Sequence, residues 1–202
     1  MPPEVEIVAR LLERFKKDTV PHMMKRFGYK NPLMVPRLEK IVVSKGVGKA
    51  IEDKKFLDAA SRDLALITGQ KPLITKAKKS VSAFKVRKGM PTGCKVTLRG
   101  RAMYEFLDRL VSVVLPRIRD FRGLGVEAFD GHGNYNLGVS DQVVFPEVNI
   151  DEVEFIQGLN IVICIRNSSD EESFELLSQM GMPFQRTADS KLGQKRGSQI
   201  AV

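Results

Sequence analysis

Residues 67–100 read ITGQKPLITKAKKSVSAFKVRKGMPTGCKVTLRG, and this segment sets the expected fold. Apolar residues alternate in it with polar or basic ones, which is typical of strands with one buried and one solvated face. We predict strands near residues 73–77, 82–87 and 95–99, and a turn at residues 89–93, GMPTG, that joins the last two strands as a hairpin. This hairpin would present rows of lysine and arginine on a sheet.

The net charge of the chain is concentrated around the same segment. The formal charge is +9, from 33 Lys and Arg against 24 Asp and Glu. Residues 64–104 hold ten of the basic side chains and none of the acidic ones, so the rest of the chain nets −1. Solvated faces normally mix both signs, because uncompensated like charges repel one another. We therefore expect this segment to bind an anionic partner.

An RNA partner fits the basic segment better than a membrane does. Four hydroxyls lie among its cations and suit contacts to phosphate and ribose: Thr75, Ser80, Ser82 and Thr97. A membrane-binding segment would instead place its cations along an amphipathic helix, with Trp, Phe or Leu opposite. Trp is absent here and glycines break the segment. The N-terminus shows no apolar signal core or membrane-spanning run, so we expect no membrane partner.

Helices and strands alternate along the rest of the chain. Apolar residues at helical spacing predict an N-terminal helix, which Pro21 should interrupt before a second short helical turn. Residues 38–47 suit a strand by their β-branched residues. A helix should follow, beginning at Asp53 and ending at residues 68–69. These elements predict an α+β fold and not a parallel doubly wound sheet.

The second half continues this mixture. A helix over residues 103–114 should stop or kink at Pro116. The glycine-rich residues 117–146 predict a long loop, which is a second candidate for interaction. A strand over 159–165 and a helix that opens with a capping box at 169–172 and ends at Gly181 complete the pattern. We predict a single compact domain over 1–184 and a disordered tail over 185–202.

Signals for catalysis or metal binding are weak. Residues 46–49, GVGK, lack the first glycine and the final hydroxyl of a phosphate-binding loop, which favours a simple bend that takes the chain out of the sheet. Neither His22 nor His132 has metal ligands at a recognisable spacing, so we interpret each as a lone surface histidine. Cys94 and Cys164 are too few for a disulfide framework and lack metal-ligand spacing, which fits a reducing, cytosolic setting. We expect no cofactor, no metal and no enzymatic activity.

The segment 67–100 resembles the core motif of the family of ribosomal protein five of the large subunit. LPRIRDFRGL at 115–124, FDG at 129–131 and GNYNLGV at 133–139 resemble the second half of that family. The similarity runs from the N-terminal helix to residues 183–184, and long motifs in the right order are far more specific than a short pattern.

The resemblance implies an antiparallel β-sheet with helices packed on one side, assembled with 5S rRNA in the central protuberance. It implies rRNA binding at Ser44, Gln70, Lys71, Lys76, Lys78, Phe84 and Thr97. On spacing alone, core packing explains Phe84 and a helix-end hydrogen bond explains Gln70 equally well. The family commonly has Asn at the position of Ser44, and serine hydrogen-bonds with fewer donors and acceptors.

The resemblance further implies contacts beyond 5S rRNA. A basic loop near P-site tRNA would involve Lys78, Lys79, Ser80, Ser82, Arg87 and Lys88. Arg119, Arg122 and Asp130 would contact a protein of the small-subunit head as an intersubunit bridge, or instead only fix the glycine-rich loop. Neighbouring large-subunit proteins and 23S rRNA are further implied partners, in the cytoplasm and on the ribosome. The alternatives are a protein that binds or modifies RNA outside the ribosome and one that binds acidic partners there.

Overall fold

The computed structural model describes residues 9–51, 53–150, 153 and 155–185. Its strands are β1 (Arg37–Gly46), β2 (Leu73–Lys76), β3 (Pro91–Leu98), β4 (Tyr135–Val139) and β5 (Leu159–Arg166). Its α-helices are α1 (Arg10–Arg14), α2 (Val20–Phe27), α3 (Lys55–Thr68), α4 (Gly100–Arg109), α5 (Leu115–Arg117) and α6 (Asp170–Gln179). Except for Gln185, the predicted disordered tail lies outside the described residues. No helix in the described ranges combines the length and apolarity that a bilayer crossing needs.

The strands form one sheet in the order β2-β3-β1-β5-β4. β1 and β3 are antiparallel, with Ile41 opposite Leu98 and Ser44 opposite Lys95. β2 and β3 are also antiparallel, with Leu73 opposite Lys95. Helices and an antiparallel sheet in one chain confirm the predicted α+β class.

Contacts divide the chain into two compact units. Unit 1 comprises Met1–Lys40, Arg99–Tyr135 and Cys164–Val202, and unit 2 comprises Ile41–Leu98 and Asn136–Ile163. Because segments of the two units alternate along the chain, the division sets no boundary between sequence domains. The single domain over 1–184 stays a prediction.

The core of unit 2 lies between the sheet and α3, and the predicted pattern of this region is confirmed. Alternate residues of β1 and β3 are buried, and α3 packs against β3 with its own apolar face: Leu57, Ala60, Leu64 and Ile67. The side chain of Asp53 accepts a hydrogen bond from the backbone N–H of Lys55 at 2.9 Å, which satisfies a free donor at the start of the helix. Gly69 ends α3 with a φ of 67°.

Pro21 and Pro116 do not break the helical segments in which they lie, so the predicted interruption at Pro21 is wrong. A π-helical turn, Phe15–Thr19, joins α1 to α2, and another, Leu110–Val114, joins α4 to α5. A proline lacks an N–H and crowds the preceding turn, and these wider turns shift the hydrogen bonds just before each proline. The helical segment that contains Pro116 ends with α5 at Arg117, one residue beyond the position where we predicted a stop or kink.

The glycine-rich stretch 117–146 contains a strand that the sequence prediction missed. In β4, Tyr135, Leu137 and Val139 are buried while Asn136 and Gly138 are exposed. Loop and short helical turns make up the remainder.

Further on, α6 begins with the predicted capping box, in which Glu172 accepts a hydrogen bond from the backbone N–H of Ser169 at 2.8 Å.

The three tyrosines of the chain all lie in unit 1 and give a prediction for alkaline pH. Burial raises the pKa of Tyr135 to about 12 and raises the pKa of Tyr104. Burial and a hydrogen bond to Glu172 raise the pKa of Tyr29 as well. A tyrosine whose folded-state pKa exceeds its ordinary value near 10 costs stability as the pH rises from 10 through the folded-state pKa, because only the unfolded chain releases the proton early.

We therefore expect tyrosinate absorbance to stay low above pH 10 until the protein unfolds, and the free energy of unfolding to fall over the same range. Absorbance and circular dichroism measured together against pH check this, and the absence of tryptophan keeps the absorbance signal simple. Free tyrosine titration near pH 10 in a protein that still shows its full helical signal would contradict the burial of these rings.

Candidate nucleic-acid interface

The corner between α3 and β2 exposes the first predicted RNA-binding residues. Thr68 caps the end of α3, because its Oγ1 donates to the carbonyl of Leu64 at 2.6 Å and accepts from the backbone N–H of Gln70 at 3.4 Å. The hydrogen bond at this helix end therefore uses the backbone of Gln70. Its side chain and that of Lys71 are exposed.

Residues 77–90 form a closed excursion between β2 and β3, which we call the basic loop. At its base, the N–H of Ala77 donates to the carbonyl of Met90 at 2.8 Å, and the N–H of Gly89 donates to that of Ala77 at 2.9 Å. At its tip, Val81 and Val86 exchange two backbone hydrogen bonds of 2.9 and 3.2 Å. These bonds give the loop a defined shape.

The predicted strand over 82–87 is wrong, and so is the hairpin built on it. Ser82–Phe84 form a 3-10 turn and Lys85 follows with a φ of 53°. Because these residues make the tip of the loop, only one bridge, Val81 to Val86, forms there. The strand that forms a hairpin with β3 is β2 instead, and the basic loop connects the two. The predicted turn at 89–93 is shortened, because Pro91, Thr92 and Gly93 belong to β3.

The basic loop presents its cations to solvent. Five of them are exposed on it, and Lys76 is exposed just before it: Lys78, Lys79, Lys85, Arg87 and Lys88. Within the described part of the chain, no acidic side chain forms an ion pair with any of these six. Phe84 is 72% exposed, which rules out core packing for its ring. An exposed aromatic ring among cations suits stacking on an RNA base.

The two predicted serines of the loop have different surroundings. Ser80 Oγ accepts a hydrogen bond from the backbone N–H of Lys88 at 2.9 Å, which joins the two sides of the loop. Ser82 is exposed in the 3-10 turn at the tip. The structure thus brings all six residues predicted near tRNA into one loop.

Ser44 and Thr97 lie on the face of the sheet that α3 leaves open. Side chains directly opposite each other in an antiparallel pair share a face, so Thr97 lies beside Val42, and Lys95 beside Ser44. Thr97 and Lys95 are exposed and Ser44 is half-buried. Ser44 Oγ donates a long hydrogen bond of 3.5 Å to the carbonyl of Asn160 on β5. We call the solvent-facing residues of β1 and β3 that belong to unit 2 the open face.

The proposed bridge residues all belong to unit 1. Arg119 and Arg122 are exposed. The carboxylate of Asp130 accepts from the backbone N–H groups of His132 at 2.8 Å and Asn134 at 3.0 Å, and from Asn134 Nδ2 at 2.7 Å. These hydrogen bonds, above all that from the Asn134 side chain, lower the pKa of Asp130. The geometry supports the alternative in which Asp130 fixes the loop.

One predicted lone histidine has charged neighbours that sequence reasoning missed. His22 Nε2 lies 3.0 Å from an oxygen of Glu175, and Arg26 Nη1 lies 2.7 Å from the other oxygen. Glu175 is 153 positions away from His22 in the sequence, so no local signal could have shown the pair. The described residues hold no group of three His, Cys, Asp or Glu side chains that could bind a metal ion.

Other chemical candidates have structural roles. After Gly46 the chain leaves the sheet as predicted, and Gly48–Ile51 form a 3-10 turn. Burial raises the pKa of the Cys94 thiol and that of the Cys164 thiol, so both favour the unreactive protonated form.

Comparison with known proteins shows similarity over most of the chain. Residues 31–87 match the family model described as ribosomal protein L5, and residues 91–184 match the model of the C-terminus of the same ribosomal family. Two similar proteins are each called large ribosomal subunit protein uL5. The one from Geotalea uraniireducens is 58% identical over 177 residues, covering 88% of this chain and 99% of its own. The one from Macrococcus caseolyticus is 54% identical over 179 residues, covering 89% of this chain and 100% of its own.

Proposed function

The chain belongs to the family of ribosomal protein L5, and from this premise we propose that it binds 5S rRNA in the central protuberance through its basic loop and open face. As a member of this family it is a structural constituent of the large ribosomal subunit, bound to the ribosome and associated with rRNA. It is not an enzyme. We propose a cytoplasmic location for the assembled particle.

The observation that carries the proposal is a set of cations on a loop of fixed shape that form no ion pair with any residue the structure describes. Cations without acidic partners favour phosphate binding, because no internal ion pair has to break. The backbone bonds at the base and tip of the basic loop hold those cations in register, which lowers the entropy lost on binding. Gln70, Lys71 and Lys76 extend the same charged surface at both ends of β2.

Two further contacts complete the proposed assembly. P-site tRNA would meet the basic loop through Lys78, Lys79, Ser80, Ser82, Arg87 and Lys88. Arg119 and Arg122 would face a protein of the small-subunit head, with Asp130 fixing the segment that supports them. Neighbouring large-subunit proteins and 23S rRNA would surround the remaining surface. The mechanism in each case is positioning, without any bond being made.

Changing Lys71, Lys76, Lys78 and Lys79 together to Ala is expected to weaken binding to 5S rRNA by about 100-fold near physiological salt, the equivalent of a few kcal/mol. Each lysine that contacts a phosphate should also remove about 0.7 to 0.9 from the slope of log affinity against log salt. Equilibrium titration of 5S rRNA at several salt concentrations measures both quantities. Transfer RNA serves as the competitor of similar length.

A matched variant carries Lys16, Lys25, Lys30 and Lys54 changed to Ala, which removes the same charge from exposed positions outside the basic segment. It should lose much less affinity for 5S rRNA. Equal losses in the two variants would show that general basicity, and not the basic segment, drives binding. Equal affinity of the unchanged protein for 5S rRNA and transfer RNA would overturn the proposed specificity.

A further inference from the structure

The open face continues past β1 onto β5 and β4, where nothing has yet been assigned. Buried residues alternate along β5, so Asn160 and Val162 face away from the core, as Ser44 does on β1. On β4, Asn136 and Gly138 are exposed in the same way. Two exposed asparagine amides therefore lie on the two strands beyond Ser44.

The pairing of the strands places Asn160 in line with Ser44 and Lys95 of the open face. Leu73 lies opposite Lys95, and Lys95 lies opposite Ser44. The hydroxyl of Ser44 reaches the carbonyl of Asn160, which puts Asn160 next in this row. Strands lie about 4.8 Å apart, so the row from Leu73 to Asn160 spans roughly 14 Å.

The charge of this surface suits RNA as its occupant. The strand residues that belong to unit 2 include no Asp or Glu, so none of them repels phosphate, and the exposed Glu39 of β1 belongs to unit 1. The groups on the far strands are neutral amides, which both donate and accept hydrogen bonds. The wide, shallow minor groove of an RNA helix displays 2′-hydroxyls and base edges, and a sheet face can lie against such a groove.

We propose that Asn160, with Asn136 on the neighbouring strand, hydrogen-bonds 2′-hydroxyls and base edges of 5S rRNA, so that the RNA interface crosses all five strands of the sheet. This rests on the proposed function, since the same RNA continues from the basic loop and Ser44. The lysines supply attraction to phosphate. The amides add recognition that does not depend on charge.

The test is equilibrium binding of 5S rRNA to Asn160→Ala and Asn136→Ala at several salt concentrations, with transfer RNA as competitor. Each variant should weaken 5S binding roughly five- to tenfold, since a hydrogen bond is lost. The salt slope should stay unchanged, because a neutral amide releases no counterions. Asn160→Asp, which keeps the shape but adds a negative charge, should weaken binding more at low salt than at high salt.

Ser140→Ala, an exposed polar residue just after β4, is the control and should bind 5S rRNA like the unchanged protein. The thermal midpoint of each variant reports whether the fold is intact. If the four-lysine variant loses 5S binding while Asn160→Ala and Asn136→Ala bind normally, this inference is wrong and the proposed function stands. If the asparagine variants weaken 5S rRNA and transfer RNA equally, the inference is also wrong, because the amides then give no recognition of 5S rRNA.

Discussion

Asp63→Ala is expected to lower the free energy of unfolding by about 3–5 kcal/mol, because it leaves a buried ammonium group without its counter-charge. The side chain of Lys45 on β1 is 0% exposed, and its Nζ lies 3.0 Å from Asp63 Oδ2 on α3. Moving a charge out of water costs several kcal/mol, and the nearby carboxylate offsets that cost.

Asp63 also belongs to a small network of hydrogen bonds within unit 2. Gln142 Nε2 donates to Asp63 Oδ2 at 3.3 Å and to the carbonyl of Phe155 at 2.8 Å. The backbone N–H of Gln157 donates to Gln142 Oε1 at 2.5 Å. Loss of the carboxylate therefore weakens the attachment of residues 155–157 as well as exposing the charge of Lys45 to an apolar interior.

The matched control is Lys45→Met, which removes the buried charge and keeps a side chain of similar length. Asp63 then keeps its bond to Gln142, and 17% of its side chain still reaches water. We expect this variant to cost less than half as much as Asp63→Ala, because the carboxylate that it leaves behind is hydrogen-bonded and partly hydrated, whereas Asp63→Ala leaves a fully buried ammonium group. Urea denaturation of the two variants measures how much free energy of unfolding each one loses. Equal costs would mean that Lys45 finds another partner when Asp63 is removed.

Much of the fold follows from local patterns because burial is encoded locally. The β-branched residues of β1, the strongly apolar sequence of β5 and the helical period of α3 are local signals, and all three elements were predicted. Alternation of apolar and polar residues at 81–87 misled the prediction, because the tip of the basic loop repeats the pattern of a strand. β4 was missed because its neighbouring glycines indicated a loop. The prolines indicated a disturbance of the helices, but a proline alone does not show whether the helix stops or continues through a π turn.

The features of the candidate site also divide into those that local sequence predicts and those that depend on contacts between distant segments. Its cations were predictable, since an excess of Lys and Arg without acids is a property of composition. Beneath the site, the buried network of Lys45, Asp63 and Gln142 was not predictable, since its members lie 18 and 79 positions apart. Asn160 becomes a candidate only through its place beside Ser44 in the sheet. Contacts between distant segments are therefore the part of the site that the structure adds.

Gly133 shows how strongly one backbone position can depend on such distant contacts. It has a φ of 80°, and its N–H donates to Asp170 Oδ1 at 2.7 Å at the start of α6. A Cβ at this position would lie 2.7 Å from the carbonyl oxygen of Ser168 and 2.9 Å from Ser173 Oγ. The two serine hydroxyls are 2.7 Å apart, so they have little freedom to move aside.

Gly133→Ala is therefore expected to lower the free energy of unfolding by roughly 3 kcal/mol or more, from left-handed backbone strain together with overpacking against a backbone carbonyl. Gly131→Ala separates the two causes, because Gly131 has a φ of 85° and open space where an alanine methyl group would lie. It should cost only the strain, about 1–2 kcal/mol. Chemical denaturation of both variants measures the difference. If the two substitutions cost the same, residues 168–173 yield to the added methyl group, and the close approach of Gly133 to the start of α6 does not stabilise unit 1.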